Sequence, residues 1–203
     1  MTDTPYNLPN SAPSRQHLAL LTLGVEGGML TIGLLLCWLV GPNLLGNLSL
    51  SPMALLQGAL WGLLMLAVVV LIIDHPASPF AGLQEDMGQL RTLFQNAKPV
   101  DVVFMSVMAG LGEEVLFRGF LLHHGSEWLG IPAGLALSSL LFGLVHAISF
   151  AYVAFASLLG FALGLLYLWS GTLLVPIVAH GVYDVAALWY LLRLRRETPE
   201  PKA

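Results

Sequence analysis

The third apolar stretch of the chain, residues 100–122, reads VDVVFMSVMAGLGEEVLFRGFLL. It is long enough for a helix to cross a hydrocarbon core about 30 Å thick, which takes about 20 residues. Yet Glu113, Glu114 and Arg118 stand inside it, and each charge at the centre of a membrane helix costs roughly 2.5–3.5 kcal/mol on insertion scales. Because ionisable residues kept at such a cost are functional candidates, the stretch predicts a membrane span with a site inside it.

The composition of the whole chain agrees with a membrane environment. Its 203 residues are 57% hydrophobic and 10% charged, with a mean hydropathy of +0.80, whereas a soluble domain is about a quarter charged. So few charges cannot cover a water-facing surface, and lipid is therefore the expected partner. A net charge of -4 with eight basic residues offers no electrostatic footprint for nucleic acid.

Six apolar stretches predict an all-α, polytopic bundle of about six transmembrane helices. These are residues 18–40, 53–73, 100–122, 132–148, 150–169 and 172–192. Residues 83–97 instead place apolar side chains on one helical face, which is typical of a short amphipathic helix on a membrane surface.

We expect one membrane domain over residues 17–194, with its functional core at 100–192, between disordered tails at 1–16 and 195–203. An even number of spans places both termini and the segment 74–99 on one side of the membrane. That side then holds seven of the eight basic residues, and the opposite loops hold none. Basic residues accumulate on the cytoplasmic side, so we expect a multi-pass protein of a prokaryotic inner (cytoplasmic) membrane with both termini cytoplasmic.

Helical geometry gives the two glutamates of the third span different surroundings. Glu114 and Arg118 are four residues apart, on one face and in the favourable order for an ion pair. Glu113 points about 100° away and has no partner within its own helix. A carboxylate desolvated in this way suits a general base working near neutral pH.

The fourth and sixth spans carry the groups that Glu113 is expected to face. His180 and Asp184 are four apart on the sixth span, and His146 follows Phe142 by the same step on the fourth. Convergence of these faces places two imidazoles and a second carboxylate beside Glu113, enough to activate a water molecule and stabilise an oxyanion. Glu113, His146, His180 and Asp184 are also types of residue that ligate zinc, so zinc is the alternative to a site without a cofactor.

The remaining intramembrane and loop candidates have simpler interpretations. Glu26 stands alone in the first span and is interpreted as a packing or hydrogen-bonding residue. His123 and His124 fall in a predicted loop, residues 123–131, and need no special role.

Three motifs together resemble those of the CPBP family, which comprises CAAX-type prenyl proteases and bacteriocin-processing or immunity-related proteins. Glu113 to Arg118 (EEVLFR) resembles its EExxxR motif, Phe142 to His146 (FGLVH) its FxxxH motif, and His180 to Asp184 (HGVYD) its HxxxN or HxxxD motif. The resemblance covers roughly residues 100–190.

This resemblance implies an intramembrane endopeptidase that acts on a membrane-associated protein or peptide. By analogy, Glu113 activates the attacking water with the help of His146. His180 and Asp184 stabilise the oxyanion. Glu114 and Arg118, with Phe142 beside them, support the geometry. The family has been described both as metal-dependent and as glutamic.

Two other functions fit the same residues. A proton-coupled transporter would use the buried Glu, His and Asp side chains as a relay. A non-catalytic immunity or scaffold protein would have the same fold without turnover.

Overall fold

The computed structural model describes residues 12–41, 48–75, 80 and 82–193, and this part of the chain is helical without β-strands. Its elements are α1 (Arg15–Leu39), α2 (Pro52–Ile73), α3 (Leu83–Phe94), α4 (Pro99–Glu114), the π-helical segment Val115–Leu122, α5 (His123–Leu129), α6 (Ile131–Val145), α7 (Phe150–Ser170) and α8 (Leu174–Arg193). Most of the two predicted tails lies outside the described residues, although α1 already begins at Arg15.

The prediction of an all-α membrane bundle is confirmed. Helices α1, α2, α7 and α8 are each long and apolar enough to cross a membrane, and α6 is a shorter apolar helix. Large apolar side chains such as Leu20, Trp38 and Leu71 are exposed on α1 and α2, as expected of surfaces that face lipid.

Serine side chains mark the beginnings of three of these helices. Ser14, Ser51 and Ser149 each accept a hydrogen bond from the backbone N–H three residues later. Such a cap satisfies one of the donors left without a partner in the first helical turn. The helices therefore begin within a few residues of the positions predicted from the sequence.

The third span is longer than predicted, and the predicted loop at 123–131 is mostly helical. Helix α4 continues without interruption through the π-helical segment into α5, and the first break comes at Gly130, which has a φ of 83°. Proline interrupts helices, but none occurs between Pro99 and Pro132, so nothing stops the helix after Leu122. His123 and His124 are consequently helical residues and not loop residues.

Helix α8 lies at the centre of the bundle, between α2 and α4. Glycines allow this close contact: a Cβ added at Gly58 would lie 2.6 Å from the Val178 side chain, and one at Gly62 would lie 2.5 Å from the Ala179 carbonyl oxygen. These two positions form one of the small-xxx-small spacings that bring membrane helices together. The packing carries His180 and Asp184 into the interior.

Helix α6 is short, and its C-terminal end brings His146, the last residue of the FxxxH motif, close to Glu113. The helix ends at Val145 and His146 forms its C-terminal cap, so the chain turns back before α7 begins at Phe150. At 1.5 Å per residue, α6 spans roughly 22 Å, less than the hydrocarbon core. At this turn His146 lies beside Glu113 of the third span, with its Nε2 3.6 Å from Glu113 Oε2.

The predicted amphipathic helix corresponds to α3. Its Leu83 is fully buried in a cluster with Val69 and Ile73 of α2. Its buried Asp86 accepts a hydrogen bond from Ser149 Oγ at 2.6 Å. Helix α3 is thus attached to the beginning of α7, over the end of the bundle where α4 begins.

Candidate active site

Glu114 is the most enclosed acidic residue of the site, with no exposed side-chain surface. Its Oε1 accepts one hydrogen bond from Arg118 Nη1 at 2.7 Å and another from His180 Nδ1 at 2.8 Å. The predicted i, i+4 ion pair is present, and it also binds an imidazole of α8. This differs from the expectation that His180 would face Glu113. The i, i+4 rule describes neighbours on one helix and carries no information about a third group on another.

Arg118 is held by groups from three helices. Besides Glu114, its Nη2 donates to the Gly160 carbonyl of α7 at 2.6 Å, and its guanidinium lies over the Phe142 ring of α6 at 4.5 Å. Breaking a buried pair on one side leaves an uncompensated charge, which is strongly destabilising. Arg118 therefore fixes the relative positions of the third, fourth and fifth spans around the site.

Glu113 faces the imidazole of His146, as predicted. Its Oε2 lies 3.6 Å from His146 Nε2, and the glutamate is buried. The other ring nitrogen, Nδ1, lies 2.8 Å from the Phe142 carbonyl oxygen. Since a carbonyl only accepts hydrogen bonds, Nδ1 carries a proton, and this contact orients Nε2 toward the glutamate. Stacking on the Phe142 ring at 4.7 Å further fixes the imidazole plane.

His180 and Asp184 form the second part of the site. His180 Nε2 lies 3.5 Å from Asp184 Oδ2, which is too long for a good hydrogen bond. His180 is therefore flanked by two carboxylates, one on each ring nitrogen, with Glu114 making the shorter contact.

A cavity of about 430 Å³ connects these groups to one end of the bundle. Glu113, His146 and Asp184 line it together with apolar side chains. Some of the apolar lining comes from α3, namely Leu83, Met87, Leu90 and Phe94. The polar groups thus occupy one part of a mainly apolar chamber, the usual form of a site that binds an organic substrate.

Glu26 also lines this cavity and was missed by the sequence interpretation. A Cβ at Gly112 would collide with the backbone oxygen of Glu26, so α1 passes directly beside the residue before Glu113. The Glu26 side chain is partly buried, and its Oε2 has no hydrogen-bond partner among the described residues. The only signal in the sequence was the unusual presence of a carboxylate in an apolar span.

The four residues considered for zinc do not gather around a common point. Within the described residues, one set of three His, Cys, Asp or Glu ligand atoms lies within 4.8 Å of one another, and it consists of His123, His124 and Glu127. The four candidates instead form two pairs, Glu113 with His146 and His180 with Asp184. This arrangement of two separate pairs does not fit one shared metal ion.

Comparisons with known proteins agree with the motifs. A family model described as "Type II CAAX prenyl endopeptidase Rce1-like" matches residues 95–186. "Uncharacterized protein YpbD" of Bacillus subtilis (strain 168) is 29% identical over 133 residues, which cover 62% of this chain and 65% of that protein. No solved structure matches. The matched segment contains Glu113, Glu114, Arg118, Phe142, His146, His180 and Asp184, so all three motifs lie in the part of the chain that is similar to type II CAAX prenyl endopeptidases of the Rce1-like family.

Proposed function

We propose that the chain is an intramembrane endopeptidase that hydrolyses a peptide bond with a water molecule activated by Glu113. The observation that carries this proposal is the pair of facing acceptors in the cavity, Glu113 Oε2 and His146 Nε2, 3.6 Å apart. With Nδ1 protonated, His146 Nε2 is a hydrogen-bond acceptor, and an ionised carboxylate is one too. A water molecule has two O–H groups and can donate one to each.

Hydrolysis then requires Glu113 to move one proton. The carboxylate takes a proton from the water as its oxygen adds to the substrate carbonyl carbon, while His146 holds the second O–H. The resulting tetrahedral intermediate carries its charge on the former carbonyl oxygen. Glu113 returns the proton to the amide nitrogen, the C–N bond breaks, and a carboxyl and an amine product leave. General acid–base catalysis of this kind contributes about 10²–10⁴-fold.

His180 and Asp184 are proposed to act on the oxyanion. An N–H at His180 Nε2 faces Asp184 at 3.5 Å, a contact so long that a developing oxyanion can compete for the proton. Asp184 lines the cavity, and the His180 side chain beside it is 6% exposed. Asp184 thus orients the imidazole, and Glu114 holds its other nitrogen at 2.8 Å. A donor fixed in advance in this way stabilises the transition state without reorganisation.

Glu114, Arg118 and Phe142 are positioning residues in this scheme. Phe142 touches three of the groups: its carbonyl fixes His146, and its ring contacts both Arg118 and His180. The Glu114–Arg118 pair anchors His180 to the third span. None of the three has to touch the substrate.

The cavity is proposed to receive a membrane-associated polypeptide from the cytoplasmic side of a prokaryotic inner membrane. The described basic residues Arg15, Arg91, Lys98 and Arg193 lie in elements at the end of the bundle where α3 lines the cavity. The apolar lining suits a lipid-modified segment, in keeping with the prenyl endopeptidase description of the family. It equally accommodates an apolar stretch of an unmodified peptide.

The experiment compares membrane polypeptides from cells that carry the wild-type chain or the Glu113→Gln variant, identified by mass spectrometry. We expect a polypeptide to accumulate uncut with Glu113→Gln, and peptides spanning its cleavage site to be cut by purified wild-type protein. Testing that peptide with and without a farnesyl group then determines whether the lipid is recognised. If wild type and Glu113→Gln, present at equal abundance, process this polypeptide equally, the proposed mechanism is wrong.

The same variants separate the two alternative functions. A proton-coupled transporter predicts substrate-dependent proton flux in proteoliposomes, and the peptidase predicts none. A scaffold predicts that Glu113→Ala and His146→Ala still complement a deletion strain. If the chain is a peptidase, neither variant should complement the deletion strain.

A further inference from the structure

A second cluster of ionisable side chains lies on the third span, beyond the π-helical segment. It consists of His123, His124 and Glu127 of α5 and is named the His-His-Glu cluster. At 1.5 Å per residue, it lies roughly 15 Å along the helix from Glu113, at the opposite end of the span from Pro99. None of its members takes part in the proposed peptidase mechanism, so a role for this cluster is independent of that mechanism.

The two imidazoles approach the same carboxylate from different directions. His123 Nε2 lies 3.4 Å from Glu127 Oε1, and His124 Nδ1 lies 3.0 Å from Glu127 Oε2. Consecutive helical residues diverge by about 100°, so their side chains ordinarily point apart. Here each ring presents a different nitrogen, and all the ligand atoms come within 4.8 Å of one another.

Aromatic side chains hold the cluster in place. The His124 ring stacks on Trp128 with centroids 5.5 Å apart, and the edge of Phe120 packs against it at 4.8 Å. His124 is buried, whereas 54% of the Glu127 side chain is exposed. A ligand set with one rigid, enclosed member and one accessible carboxylate can accept an ion from outside without rearranging the helix.

Space for additional ligands adjoins the cluster. A recess of about 350 Å³ is lined by His123, Ser126 and Glu127 on one side and by Tyr167 and Gly171 on the other. Two imidazole nitrogens and a carboxylate form the donor set of many zinc sites, in which water or another ligand completes a tetrahedron. Oxygen-seeking ions such as Mg²⁺ and Ca²⁺ prefer carboxylates and carbonyls to imidazole.

We propose that His123, His124 and Glu127 bind a divalent transition-metal ion, with zinc as the best match to the two nitrogens and one carboxylate. The ion takes Nε2 of His123, Nδ1 of His124 and an oxygen of Glu127. The recess supplies the remaining position. Because all three ligands lie on α5, a bound ion links side chains of that one helix and does not connect α5 to another helix.

The test is a zinc titration by calorimetry on tag-free, full-length protein in detergent after dialysis against a chelator. Wild type is expected to bind one zinc ion per chain at this site. His123→Ala and Glu127→Gln are each expected to weaken binding at least tenfold, since losing even an outer-shell partner of a metal ligand costs about 10–100-fold. The matched control His146→Ala, a histidine of the peptidase site, is expected to bind zinc as wild type does.

Tryptophan fluorescence provides a second measurement, in which none of the three metal-binding residues is substituted. Cu²⁺ held beside His124 quenches Trp128, so wild type should lose fluorescence on titration with copper, and Trp128→Phe should lose much less. Circular dichroism of each metal-free variant shows whether it is folded. The proposal is overturned if folded wild type takes up no zinc at tenfold excess over micromolar protein. It is equally overturned if His146→Ala loses the ion while His123→Ala keeps it.

Discussion

The third span carries two clusters of similar residue types in different surroundings. Glu113, Glu114 and Arg118 lie near its middle, where other helices supply their partners, including His146 and His180. The His-His-Glu cluster near its end is complete within one turn of α5. Buried charges require partners in fixed positions, whereas half-exposed ones are satisfied by water. The proposed peptidase site and the proposed ion site therefore use similar side chains in different surroundings.

The largest difference between the clusters should appear in catalysis. His146→Ala is expected to lower the rate of peptide cleavage about 10²–10⁴-fold, because the water loses one of its two acceptors. His123→Ala should leave the rate unchanged. The measurement is the initial rate with the peptide identified as substrate, using equal amounts of folded protein. Added imidazole should partly restore His146→Ala by entering the cavity. A rate for His146→Ala equal to that of wild type would place catalysis elsewhere.

The next difference concerns stability. Glu114→Gln removes the charge that Arg118 and His180 share, and leaving Arg118 buried without it should cost about 3–5 kcal/mol. Glu127→Gln removes a half-exposed partner of two histidines and should change stability by at most about 1 kcal/mol. Denaturant unfolding in mixed micelles compares the two variants. Equal losses would show that burial does not separate the clusters.

A smaller effect should follow from the packing behind Glu113. Gly112→Ala places a methyl group against the backbone of Glu26 and should destabilise the protein by about 1–3 kcal/mol, as overpacking does. Gly24→Ala is the matched control on α1, because nothing lies within 4 Å of its added Cβ. The two midpoints of thermal unfolding are compared. A midpoint for Gly112→Ala equal to that of the control would mean that α1 does not press on this part of the third span.

Relations within one helix could be predicted from the sequence. The Glu114–Arg118 pair and the shared face of His180 and Asp184 follow from the four-residue step, and both are present. The approach of His146 to Glu113 was expected because an unpaired buried carboxylate needs a partner from another helix. Apolar length and the serine and glycine residues between the stretches likewise located the helices, of which four are long and apolar enough to cross a membrane and α6 is a shorter apolar helix.

Relations that depend on three helices could not be predicted. The hydrogen bond from His180 to Glu114 depends on how α8 lies against α4, and Glu26 reaches the cavity because α1 packs on Gly112. The π-helical segment left no sequence signal that we recognised. It carries the helix on into α5, so that His123 and His124, expected in a loop, become part of a cluster. Tertiary packing, and not local pattern, decides these features.

The most direct test of the proposed catalytic role of Glu113 compares Glu113→Gln with Glu127→Gln, two identical changes at two acidic residues of the same span. Purified variants of confirmed fold are assayed for cleavage of the peptide that accumulates in cells. The proposed mechanism predicts that Glu113→Gln loses cleavage about 10²–10⁴-fold and that Glu127→Gln cleaves at the wild-type rate. Cleavage by Glu113→Gln at the wild-type rate would contradict it.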